Sequence, residues 1–131
     1  PNYTAYINRG KRAAAKVDLL ATAAQLERNY TTNGCYNFTT VAECRAQAGT
    51  APVLPATSPG EGRAHHAITV DYSASATGQA FTLSATPCGT AGTCPTGSEA
   101  YTDADCGVLT LAHTGVRTSS GSATLETCWR R

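Results

Sequence analysis

Methionine is missing from this 131-residue chain, tryptophan occurs once and phenylalanine only twice. Small residues (Ala, Thr, Ser, Gly) abound instead, which predicts a loop-rich protein with a modest core. Charge is sparse too: 15% of residues are charged, ten basic against nine acidic, for a formal net charge of +1. That balance excludes a strong general attraction to nucleic acid or anionic lipid. With 41% hydrophobic residues the chain is not a disordered tail either. No run of about twenty apolar residues is present, and no signal peptide. The length suits one domain able to bury a core unaided. Pro1 stands at the edge of what already reads as a helix, so an upstream segment is expected to have been removed.

What is abundant is cysteine. Six in so short a chain point to an oxidising compartment. Six cysteines allow 15 pairings; the spacing suggests pairs in chain order, Cys35–Cys44, Cys88–Cys94 and Cys106–Cys128. Closing such loops stabilises by roughly 2–3.5 kcal/mol each in the chain-entropy model, the last pair most. Zinc would need short pairs of the C-x-x-C type, whereas the gaps in the first two pairs are eight and five residues.

The first thirty residues carry a helical pattern. Tyr3, Tyr6, Ile7, Ala13, Ala14, Val17, Leu20, Ala21 and Ala24 recur at three- and four-residue spacing. A second stripe, Leu19, Ala23, Leu26 and Tyr30, lies roughly 120° away at about 100° per residue. Thr31-Thr32-Asn33-Gly34 signals the helix end. Two stripes suggest two partners, a sheet of the same chain and another subunit; the alternative is one wide buried face. Residues 31–66 read as an irregular connection punctuated by proline and glycine, with a short helical turn over Val41–Gln47. From residue 67 to 118 the period becomes two. Ile68, Val70 and Tyr72, then Phe81, Leu83 and Ala85, predict a hairpin; Gly107–Ala112 and Val116–Thr118 predict a third and a fourth strand. The expectation is a single α+β domain, a long helix on an antiparallel sheet of three or four strands.

Several stretches resemble the type IV pilin family. Pro1-Asn2-Tyr3-Thr4-Ala5-Tyr6-Ile7-Asn8-Arg9-Gly10, with the basic cluster after it, is similar to the region just past the membrane segment of these pilins. Asp18-Leu19-Leu20 and Ala24–Gly34 continue the likeness. Phe81–Pro87, Cys106–Leu111, Thr114–Arg117 and the closing Cys128-Trp129-Arg130-Arg131 resemble the strands, turn and ending of the PilE-like minor pilin group. Residues 35–65 and 87–105, which hold two cysteine pairs, match nothing in the family. The resemblance implies a pilin fold with a C-terminal region, 106–128, stapled by Cys106–Cys128. It implies a minor pilin, a structural subunit of a bacterial type IV pilus that takes part in assembly and so in twitching motility, adhesion or DNA uptake. The partners would be other major and minor pilins and the inner membrane, reached through a preceding apolar helix. The domain would sit in the periplasm and then on the extracellular pilus, monomeric when isolated. The subunit-facing residues would be Tyr3, Tyr6, Ile7, Ala13, Ala14, Val17, Leu20 and Ala24. Two alternatives share the fold: a binding module showing the 87–105 loop to DNA or a host surface, and a type II secretion pseudopilin.

Sharper chemistry finds little footing. Adjacent strand residues point to opposite faces, so His65-His66 cannot easily share a metal and read as surface loop residues; His113 reads as a turn residue. The G-x-S-x-G elbow of a serine nucleophile is absent. Asp103 and Asp105 alternate beside Cys106 but lack the glycine-bearing loop of a calcium site. No enzyme activity, metal or cofactor is expected. Arg9, Lys11, Arg12 and Lys16 form a basic run, read as contacts to lipid headgroups or acidic neighbours, with DNA as the other reading. The Asn-x-Thr triplets at Asn2, Asn29 and Asn37 carry little weight. Trp129 is expected to anchor the C-terminal loop by packing.

Overall fold

A computed structural model describes residues 3–36, 54–75, 78–91 and 93–130. Alanine, leucine and long polar side chains favour helix at most of the first thirty positions, and α1 runs Tyr3–Asn33, about 45 Å at 1.5 Å per residue. It ends within the predicted turn signal Thr31–Gly34, where the Thr31 hydroxyl bonds back to the Glu27 carbonyl at 3.0 Å. Gly34 then closes it at φ 83°, with its amide 2.7 Å from the Tyr30 carbonyl. The Asn29 amide group donates to the carbonyls of Cys35 and Tyr36 at 3.3 and 2.8 Å, which fixes the exit of the chain.

Five antiparallel strands follow in the order of the sequence: β1 (Thr57–Ser58), β2 (His66–Asp71), β3 (Thr82–Pro87), β4 (Leu109–Ala112) and β5 (Arg117–Ser119). Two short helices, α2 (Cys88–Ala91) and α3 (Leu125–Arg130), stand after β3 and at the chain end. The expected hairpin and the two later strands are present. The strand β1 corrects the reading of 31–66 as an irregular connection. Two residues carry no periodic signal; they pair because β2 offers partners, with the Ile68 amide bonding Ala56 and the His65 amide bonding Ser58, both at 2.9 Å. The helical turn expected over Val41–Gln47 lies outside the described residues, as does Cys44 and therefore the Cys35–Cys44 pair. The other two disulfides form as expected, Cys88–Cys94 and Cys106–Cys128.

Register places side chains in rows across the sheet. Val70, Leu83 and Leu111 are cross-strand neighbours, as are Ile68, Ala85 and Leu109, and all face α1. A one-residue slip would turn both rows to water. The alternate row, Thr69–Ser84–Thr110–Thr118, lies on the outward face and consists of hydroxyl side chains alone. From α1, Ala15, Leu19 and Leu26 fill the inner face with no exposure. Tyr36 stands edge-on to Phe81, ring centroids 4.7 Å apart. Trp129 seals the core as expected, its indole N–H donating to the Thr118 carbonyl at 2.9 Å. Gly107, at φ 62°, turns the chain between Cys106 and β4 where a side chain would strike Ser120.

Because Leu83 sits in the middle of the inner face, Leu83→Ala is expected to cost about 2–5 kcal/mol. Urea denaturation should show a lower midpoint with an unchanged slope, while Val116→Ala, at an exposed position, should move it little.

Candidate functional site

The helix has two unequal faces. Arg12, Ala15, Lys16, Leu19, Thr22 and Leu26 face inward, three or four residues apart. Tyr3, Tyr6, Ile7, Val17 and Leu20 are 45–71% exposed. Ala13 and Ala24 are exposed beside them and Ala14 is half-buried. The stripe predicted to meet a neighbouring subunit is thus the face that the chain's own sheet leaves uncovered. Around Tyr6, Ile7, Arg9, Gly10 and Ala13 it forms a shallow open groove, and a side chain added at Gly10 would meet no atom within 4 Å. On a monomer, contiguous exposed apolar area larger than a few hundred Å² is uncommon.

The basic run is not one open patch. Arg12 is buried and donates from Nε and Nη2 to the two carboxylate oxygens of Asp103, at 2.7 and 2.8 Å. Asp105 adds a longer contact at 3.6 Å. The bonds to Asp103 raise the Arg12 pKa against the cost of burial. Burial pushes the Asp103 carboxyl up, but the guanidinium and the Cys106 amide outweigh it and leave Asp103 below the usual range. Lys11 bonds Glu99 and lies 4.8 Å over the Tyr101 ring. Lys16 is also buried, with Nζ 3.5 Å from the Trp129 carbonyl, and burial lowers its pKa. Arg9 is exposed. Asp103 and Asp105, weighed in the sequence as calcium ligands, are therefore partners of Arg12, and no cluster fit to hold a metal exists among the described residues.

The histidines correct the sequence reading most sharply. His65 is 8% exposed and His66 is fully buried, and their Nδ1 atoms are 2.7 Å apart. Both rings face Tyr101. The opposite-face rule holds only inside a strand, and His65 lies just ahead of β2. His113 keeps its turn position and packs beside Tyr36 and Phe81.

One cation that sequence reasoning did not single out is prominent. Arg117, exposed on the edge strand β5, has its guanidinium 5.2 Å from the Trp129 ring centroid. A guanidinium at this distance over an aromatic face is held by a cation–π attraction that does not use its N–H donors. In the sequence Arg117 was only part of a turn, with nothing to pair it with a tryptophan twelve residues on.

The Arg12–Asp103 pair generates a two-step prediction. Arg12→Met should destabilise by about 3–5 kcal/mol, since it leaves a buried carboxylate without its counter-charge. Replacing Asp103 by Leu in the same chain should recover most of that loss in thermal or urea unfolding.

The geometry can be set beside known proteins. A family model described as "Type IV minor pilin ComP, DNA uptake sequence receptor" matches residues 1–110. Among solved structures, a type IV pilin from Shewanella oneidensis is similar at 24% identity over 88% of this chain and 96% of that one, with a TM-score of 0.49. No curated protein sequence matches.

Proposed function

This chain belongs to the type IV minor pilin ComP family, and on that premise we propose that it is a filament-borne receptor for double-stranded DNA during uptake. As a minor pilin it is a subunit of a type IV pilus; the receptor role is the reading proposed. The family match is the observation that carries it. An apolar helix continuing α1 would hold the subunit in the inner membrane and then pack in the filament, the globular part passing from periplasm to cell exterior. No helix among the described residues is itself long and apolar enough to cross a membrane.

The two exposed features divide this work. The outward stripe of α1 has the apolar character and length that packing against other pilins requires. DNA binding needs cations, and with a net charge of +1 it must be local rather than a field of the whole molecule. Arg117, held against Trp129 at the opposite end of the sheet from β1, supplies an oriented donor group for a phosphate. Lys11, Arg12 and Lys16 are engaged within the fold and contribute less than their number in the sequence suggests.

Two experiments test the two halves. Val17→Glu and Tyr6→Glu, at exposed positions, should leave the melting temperature of the isolated domain within a few degrees while blocking recovery of the subunit in sheared pili; normal incorporation would overturn the helix-face assignment. Mobility-shift titrations with duplex DNA across a salt series should show binding that weakens with salt. Arg117→Ala should lower affinity at every sequence tested and reduce the salt slope by about 1. Absence of salt-dependent binding by the unaltered chain would remove the receptor reading.

A further inference from the structure

His65 and His66 form a buried unit that filament assembly and DNA binding do not use. Their Nδ1 atoms are 2.7 Å apart, so one ring donates and the other accepts, and the accepting ring must be unprotonated at that nitrogen. Among the described residues, the Nε2 atom of His66 has no hydrogen-bond partner. An unpartnered buried lone pair costs less than an unpartnered buried N–H, so the proton of neutral His66 sits on Nδ1 and points at His65. Protonating His66 would place a charged N–H where no acceptor stands. Protonating both rings would set two N–H groups head to head.

The surroundings relieve that penalty only in part, since nearby carboxylates favour the charged rings while nearby cations and burial oppose them. From α1 come Lys11, Arg12 and Asp18; from segment 98–103 come Glu99, Tyr101 and Asp103. The neighbours of His66 on β1 and β3 are Ser58 and Pro87, neither of which titrates. Each carboxylate already has a partner: Glu99 bonds Lys11, Asp103 bonds Arg12, and Asp18 accepts from the Ser58 hydroxyl. Burial, the neighbouring His65 and the two cations lower the His66 pKa to about 4, and burial followed by Lys11 lowers that of His65.

Three backbone bonds converge on this pair. The Cys88 amide donates to the His65 carbonyl at 2.9 Å, the Glu99 amide to the Ala64 carbonyl at 2.8 Å, and the Gly89 amide to the Tyr101 carbonyl at 2.8 Å. They pin α2 and segment 98–103 to the entrance of β2. We propose that the His65–His66 pair is an acid-operated latch that holds α2 and segment 98–103 against the sheet and lets them open at mildly acidic pH. The segment it frees carries Glu99, whose partner Lys11 borders the exposed stripe of α1, so opening would alter the surface beside the subunit-packing face. The latch stands independently of the DNA reading.

Direction follows from linkage. The closed state binds the His66 proton less tightly than an opened state with the ordinary value of 6.5, so closure is complete above about pH 6.5 and is lost as pH falls toward 4. Between pH 7 and 5, opening should become about twenty-fold more frequent. Native-state amide exchange on the full chain reads this at Cys88, Gly89 and Glu99, as protection factors corrected for intrinsic rates. Protection there should fall about twenty-fold, and low urea should leave it unchanged, as expected for a local opening, while Leu83 and Leu111 respond to urea. In His66→Leu most of the fall with pH should vanish, leaving the smaller part due to His65; His66→Gln serves if that variant does not fold. Histidine ring 15N shifts in the unaltered chain need no variant, and the His66 ring should stay neutral at pH 5. The proposal is overturned by a His66 ring titrating near 6.5, by an equal fall in the variant, or by latch amides that follow urea as the core does.

Discussion

The rotation of α1 about its own axis is the constraint from which the other features follow. A helix advances about 100° per residue, so seating Ala15, Leu19 and Leu26 on the sheet leaves no freedom for the rest. Positions 12, 16 and 22 share that face and must go inside, whatever they carry. Arg12 then needs a buried counter-charge, and the chain supplies Asp103 from the segment leading to Cys106. The same rotation sends Tyr3, Tyr6, Ile7, Val17 and Leu20 outward. The buried core and the exposed apolar stripe are two results of one angle.

Much of this was legible in the sequence, and the gaps have physical causes. Alternation in Ile68–Val70, Phe81–Ala85 and Leu109–Leu111 gave away three strands because each buries one face only. Both helix stripes were visible, and the one richer in large apolar residues is the one that faces out. A purely hydrophobic criterion would have ranked the faces the other way, since Arg12, Lys16 and Thr22 lie on the buried side. The basic run read as open because its partners stand far off in sequence: Glu99 is 88 residues from Lys11, and Asp103 is 91 from Arg12. No local pattern reports a pairing at that range. The histidine pair reads as surface loop because it precedes the strand beside Arg63, and nothing in that local pattern reports that both rings are buried.

The C-terminal third adds covalent and polar ties to the apolar area that Leu109, Leu111 and Trp129 bury. Cys106–Cys128 closes the loop that contains β4 and β5, and Trp129 next to it reaches the Thr118 carbonyl. Both arms of that loop thus meet at one place, and Arg117 projects from it. A short edge strand bearing an outward arginine also discourages pairing with a foreign strand. The exposed guanidinium therefore also guards the sheet edge.

The row Thr69–Ser84–Thr110–Thr118 on the outward side of the sheet bears on how such a molecule tolerates crowding. Short hydroxyl groups keep their water and offer a neighbour neither charge nor grease. Two copies meeting through these faces would gain little by dehydrating them. Among the described residues, that row therefore contrasts with the exposed apolar stripe of α1. For a component carried in a packed fibre, having a side that does not stick is as much a design requirement as having one that does.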